Sequence, residues 1–131
     1  MYKSKEFWNK RHAPNKGTEP EMVDRKYIPR FLTSGSNLIE FGPGIGRVYE
    51  FYKGYEVTGL DFAEQYSKEC FKKAKEHGLV YRHIIHDVHK RMLPFDFKTF
   101  DKGLLIKVLL HAPPEECKTI IREMGHVCKE V

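Results

Sequence analysis

The 131-residue chain predicts an α/β fold, a parallel sheet with flanking helices that stops after about four strands. Three observations predict it. Short apolar runs bounded by turn residues occupy residues 37–41, 55–60, 79–86 and 101–109. Segments with helical spacing, or with a helix-start sequence, separate or follow them, as right-handed crossovers between parallel strands require. The residues best suited to chemistry, Gly42 to Gly46, Asp61, Asp87 and the pair Lys107-Val108, all fall at the ends of those runs. In an open parallel sheet, ligands bind at the carboxyl ends of the strands.

Residues 1–36 read as an N-terminal helical segment, distinct from the α/β unit of residues 37–131. A short amphipathic stretch surrounds Phe7 and Trp8, and a Pro/Asn/Gly-rich break follows at residues 13–20. A helix is expected from Glu21, with Met22, Val23, Tyr27 and Ile28 spaced for one apolar face and Pro29 ending or kinking it. Within the α/β unit, Asn37-Leu38-Ile39-Glu40-Phe41 predicts the first strand. A brief helix over residues 47–53 is expected to stop at Gly54, a natural C-cap. The second strand, residues 55–60, is closed by Asp61. A helix over 63–77 has Tyr66, Cys70, Phe71 and Ala74 as its apolar positions and Gly78 as its cap. Residues 79–86 give a third strand closed by Asp87, and residues 101–109 a fourth. Pro113-Pro114-Glu115-Glu116 then opens a last helix, with proline and acids where a helix N-terminus accepts them.

Composition excludes several classes. With 40% hydrophobic and 31% charged residues, the chain is of ordinary globular make-up. No apolar run approaches the ~20 residues of a membrane span, and the first six residues lack the apolar segment of a secretory signal. No membrane partner is expected on that ground. Cys70, Cys117 and Cys128 form no Cys-x-x-Cys pair, so the expectation is reduced thiols in a cytoplasmic protein. The net charge of +5 hints at anionic partners, but the basic residues are scattered, in runs of two at most.

The chemistry concentrates in Glu40-Phe41-Gly42-Pro43-Gly44-Ile45-Gly46-Arg47. Its alternate glycines permit a tight turn and close approach of the backbone to a ligand, and the amides beyond suit a carboxylate or phosphate. Asp61, 19 residues after Gly42, ends the next strand, where a carboxylate can accept both ribose hydroxyls of an adenosine ligand. His83, His86 and His89 recur every third residue, but spacing of three alternates faces on a strand, and no metal site is assigned. A nicotinamide fingerprint would read Gly-x-Gly-x-x-Gly, whereas this chain has Gly-x-Gly-x-Gly preceded by an acid. A phosphate-binding loop ending in Gly-Lys-Ser/Thr is missing too.

That acid and spacing resemble motif I of the class I S-adenosylmethionine (SAM)-dependent methyltransferases. Val57-Thr58-Gly59-Leu60-Asp61-Phe62-Ala63 looks like the second-strand signature of that superfamily. Leu93-Pro94-Phe95 with Phe100-Asp101 looks like its loop into the fourth strand. Val108-Leu109-Leu110-His111-Ala112-Pro113-Pro114-Glu115 is similar to the segment that follows, and the run from Ile121 to Lys129 to the helix leading into a fifth strand. The resemblance implies a Rossmann-like fold and SAM as cofactor. Glu40, Gly42, Gly44 and Gly46 would position the methionine part, Asp61 the ribose, Phe62 and Val88 the adenine, and Asp87 its amino group. Lys107 and Val108 would border the transferring methyl. Phe7, Trp8 and Arg11 match a short helix that closes over the cofactor in relatives, or one that simply packs on the domain. His111 is the candidate general base, or else a capping or packing histidine.

The resemblance also implies a fifth strand beginning where the chain stops at Val131. The fourth would then be an open edge, completed by a second copy or a partner chain, unless the chain is a fragment. The acceptor stays open: small molecule, protein or nucleic acid. A SAM-binding module without activity of its own is the other class of function.

Overall fold

The computed structural model describes residues 19–86 and 93–131. Five parallel strands form one sheet in the order β3-β2-β1-β4-β5. At its centre is β1 (Asn37–Phe41), flanked by β2 (Glu56–Asp61) and β4 (Phe100–Leu105), with β3 (Val80–Ile85) and β5 (Cys128–Glu130) outermost. The chain steps outward from β1 to β3, then crosses back over β1 to lay down β4. This reversal puts a switch point between β1 and β4, where the crevice of such sheets opens. Registers Phe41↔Leu60, Phe41↔Leu105 and Asp61↔Ile85 bring the carboxyl ends of β1 to β4 to one rim.

Each face of the sheet carries its own core, as the two-residue period of β1 dictates. Ile39 and Phe41 point to one side, with Leu60, Phe100 and the inner residues Ile120, Met124 and Val127 of helix α3 (Pro114–Val127). Leu38 points to the other, with Val57, Tyr49, Tyr52, Ile28 of helix α1 (Met22–Phe31), and Cys70 and Ala74 of helix α2 (Ser67–Glu76). Leu38 and Ile39 are fully buried, each worth about 1.5–3 kcal/mol relative to exposure.

Several expectations are corrected. The helix expected over 47–53 is a 3-10 turn, Tyr49–Tyr52. Residues three apart eclipse in a 3-10 turn, and this is what buries Tyr49 and Tyr52 together against β1. The segment over 63–77 divides into a 3-10 turn, Glu64–Tyr66, and α2, with Tyr66, Cys70 and Ala74 inward and Phe71 half exposed. β4 ends at Leu105 rather than 109, since Lys107 takes a left-handed φ of 59° and another 3-10 turn, Leu109–His111, follows. Among the described residues the short strand β5 adds to the four expected. β5 pairs with β4 at Phe100↔Cys128 and Lys102↔Glu130, so the first half of β4 is not an open edge. α1 runs through Pro29 to Phe31, and it buries Asp24 and Ile28 while Met22, Val23 and Tyr27 face outward.

Candidate functional site

Glycine loop and Asp61 meet at the rim because backbone hydrogen bonds continue the sheet past its strands. The Gly42 N–H donates to the Leu60 carbonyl at 2.8 Å, and the His86 N–H to the Asp61 carbonyl at 2.8 Å. Gly42, Gly44 and Gly46 have φ of 65°, 59° and 78°, a left-handed region costly for other residues. At Gly42 the demand is also steric, since a Cβ would lie 2.8 Å from Val108 Cγ2. Cys70 of α2 donates its thiol hydrogen to the Gly44 carbonyl at 3.0 Å, fixing the loop from below. Burial pushes that thiol up to about 12, so it remains a donor.

Asp61 is buried, and its carboxyl is pushed up to about 6 by that burial, against backbone N–H groups of Ala63, Phe62 and Gly44 that draw it down. The Ala63 amide donates to Oδ1 at 3.1 Å. A carboxylate has about four acceptor positions, which leaves room for a ligand diol. Phe41, Gly42, Leu60, Asp61, Phe62, His86 and Val108 line a small pocket here. Nε2 of His86 is buried without a partner among the described residues. Apolar walls, a buried carboxylate and a backbone cradle with no side chain in the way fit the nucleoside part of SAM.

Glu40 stands apart from the pocket. It shares the β1 face with Leu38, is buried, and accepts a hydrogen bond from the Tyr52 hydroxyl at 2.8 Å. Burial pushes it up to about 7, partly offset by Tyr52 and Arg47. Arg47, at the end of the loop, pairs with Asp24 of α1, which also accepts from the Glu21 amide at 2.7 Å. Burial would raise the Asp24 carboxyl, but the Glu21 amide and Arg47 outweigh it and hold it below its usual value. Lys107 reaches across to Glu21 in an ion pair.

The structure thus brings Gly42, Asp61, Phe62 and Val108 around one pocket, and it places Gly44 and Gly46 in the adjoining loop. Lys107 lies on the rim but is engaged with Glu21. His111 is half-buried in the turn after β4, with its N–H donated to the Val108 carbonyl at 3.1 Å. Trp8, Arg11 and Phe7, like Asp87, Val88 and His89, lie outside the described residues. Sequence reasoning missed Tyr52 as the partner of Glu40 and His86 as a pocket wall. His86 immediately precedes Asp87 at a strand end, which was the available signal. His83 faces elsewhere: its Nδ1 lies 2.6 Å from the Tyr81 hydroxyl, which in turn contacts Tyr49.

Fold and site define a class of protein. A family model described as a methyltransferase domain matches residues 38–130, and the chain belongs to that family, the class I SAM-dependent methyltransferases. Among curated proteins it is similar to the phosphatidylethanolamine N-methyltransferase of Cereibacter sphaeroides, 26% identical over 115 residues that cover 87% of this chain and 56% of the relative. Among solved structures, a protein of Pyrococcus horikoshii OT3 matches with a TM-score of 0.69 and 24% identity, over 80% of this chain and 46% of the other. Magnesium protoporphyrin IX methyltransferase from Synechocystis PCC 6803, solved with bound SAM, matches with a TM-score of 0.60 and 23% identity, over 78% of this chain and 47% of the other. The chain thus spans about half the length of each. Likeness at this identity establishes the shared fold.

Proposed function

We propose that the chain binds SAM at the carboxyl rim of β1 and β2 and transfers its methyl to the primary amine of an ethanolamine phospholipid. The observation that carries cofactor binding is Asp61, buried, tied to the Gly44 amide and forming one wall of the pocket that Gly42 also lines. The acceptor class is supported by the activity named for the Cereibacter relative.

When bound, SAM supplies an electrophilic sulfonium methyl. The protein's part is alignment and exclusion of water. Asp61 would accept from the ribose hydroxyls, Phe62 and Leu60 would cover the base, and the glycine turn at Gly42, Gly44 and Gly46 would admit the methionine part. Lys107 and Val108 border the acceptor side. An amine is protonated near neutral pH and must lose a proton before it attacks. His111, following β4, is the base assigned to that step. Reduced Cys70, Cys117 and Cys128 suit a cytoplasmic setting.

Calorimetric titration with SAM and with its demethylated product, on wild type and Asp61→Ala, tests the site. Transfer of labelled methyl to phosphatidylethanolamine then tests the acceptor. Binding lost in the variant, with label on the lipid, is the expected result. Binding with no transfer would leave a non-catalytic SAM-binding module, and no binding by folded wild type would overturn the reading.

A further inference from the structure

We propose that the outward face of α1 is a docking surface for anionic phospholipid bilayers, seating the protein at the membrane interface beside its cofactor rim. No helix among the described residues is long and apolar enough to cross a membrane, and association at the surface needs none.

At about 100° per residue, Met22, Val23, Lys26, Tyr27, Pro29 and Arg30 share one side of α1. Met22 is 87% exposed, Val23 63% and Tyr27 54%, an unusual investment of apolar surface for a ten-residue helix. Cations are interleaved with them. Lys26 Nζ lies 5.2 Å and Arg30 Cζ 5.9 Å from the centre of the Tyr27 ring. The acids of this segment are directed elsewhere: Asp24 is turned inward onto Arg47, and Glu21 is engaged with Lys107. Arg25 pairs with Glu50 at the flank. The outward face is therefore both apolar and cationic.

Charge complementarity selects the occupant. A bilayer interface containing anionic lipid accepts apolar side chains and an amphipathic tyrosine at headgroup depth while pairing lysine and arginine with phosphates. A nucleic-acid backbone would match the cations but leave Met22 and Val23 against phosphate. The orientation is built in, because Ile28 packs into the core and Asp24 is clamped by Arg47 and the Glu21 amide, which prevents α1 from rolling. The same contacts fasten α1 to the glycine loop through Arg47, and to the segment after β4 through Lys107. Docking would thus bring the rim of the site to the lipid surface. The inference stands on α1 alone and does not require the acceptor to be a lipid.

Flotation of the full chain, without SAM, with phosphatidylcholine vesicles and with the same vesicles containing phosphatidylglycerol is the test. Wild type is expected to float with the anionic vesicles and not with the neutral ones. The triple variant Met22→Ser, Val23→Ser, Tyr27→Ser and the double variant Lys26→Glu, Arg30→Glu should each lower partitioning at least tenfold, since each cation near an anionic surface contributes about fivefold. All of these side chains are exposed, so both variants should keep the melting temperature and SAM affinity of wild type. Wild type that stays with neither vesicle, or binds both alike, overturns the proposal, as do variants that float like wild type; a protein-docking face would give the first of these. Loss of vesicle binding with SAM binding intact refutes docking alone, whereas absent SAM binding with vesicle binding intact refutes the proposed function alone.

Discussion

Glu40 lies one residue before the end of β1 and Asp61 ends the neighbouring β2, and their surroundings are opposite. Asp61 faces the pocket, with backbone amides on one side and space for a ligand on the other. Glu40 is sealed beneath the glycine loop by the Tyr52 hydroxyl. Both are raised by burial, to about 6 and about 7. The difference supports Asp61 as the carboxylate that meets the nucleoside in the proposed function, while Glu40 is tied to the scaffold through Tyr52. A charge kept buried without a matching cation costs stability, and a ligand that donates to it recovers part of that cost.

The largest expected effect is at Asp61. Asp61→Asn should lower SAM affinity at least about 100-fold, since a charge-assisted acceptor of two hydroxyls becomes a neutral amide. The same change should leave the melting temperature unchanged or raise it, because it removes a desolvated charge. Calorimetry and thermal melting on one sample check both halves. A loss of stability of the apo protein equal to the loss in affinity would erase the distinction from Glu40.

The pH dependence sharpens the same comparison. Both carboxyls have folded values above their ordinary ones, so between about pH 4 and 7 the folded state holds more protons than the unfolded. The stability they contribute is fully present below pH 4 and is lost as the pH rises through 6 and 7. Apo protein should therefore melt lower at pH 8 than at pH 5. SAM affinity should run the other way, falling up to about tenfold per unit below pH 6 as Asp61 is protonated. Parallel slopes for melting and affinity would break the assignment of Asp61 to the ligand.

Tyr52→Phe comes next. It deprives a buried Glu40 oxygen of its donor, at a cost of about 1–3 kcal/mol, or several degrees of melting temperature. SAM affinity should change far less than in Asp61→Asn. A change of equal size would mean that Glu40 also touches the cofactor.

Strand β1, the loop and β2 were legible in the sequence. Leu38-Ile39 and Val57 to Leu60 are buried runs, and three glycines with left-handed φ punctuate them where only glycine is comfortable. What followed was less legible, for stated physical reasons. Tyr49 and Tyr52 satisfy a three-residue period as well as the helical one, and packing under β1 selected the former. The apolar residues of α1 suggested an inward Met22, Val23 and Tyr27. The pairing of Asp24 with Arg47, a contact between residues 23 apart, turned them out instead. β5 is three residues long, too short to carry a period, and is defined by its pairing with β4. Of the site, Gly42, Asp61 and Val108 could be placed from spacing and strand ends, and Phe62 from the family resemblance. Tyr52 could not, because its role arises from tertiary contact, and His86 carried only the signal of its place beside Asp87.

The smallest effect separates charge from shape at Glu40. With its carboxyl raised to about 7 in the folded state, Glu40 is neutral in both the folded and the unfolded chain near pH 4, and glutamine reproduces that form, still accepting from Tyr52. Glu40→Gln should therefore match wild-type stability near pH 4 within about 0.5 kcal/mol, the size of a conservative change without lost contacts. At pH 8 wild type must either ionise a buried group or hold its proton against the solvent, and the variant need do neither. The variant should then be the more stable of the two, by an amount that grows from pH 4 to about 7 and levels off above it. Equal stability at both values would mean that the Glu40 carboxyl keeps its ordinary value when folded and that Tyr52 and Arg47 together offset its burial. In that case the two carboxylates would differ in their access to the ligand but not in their charge.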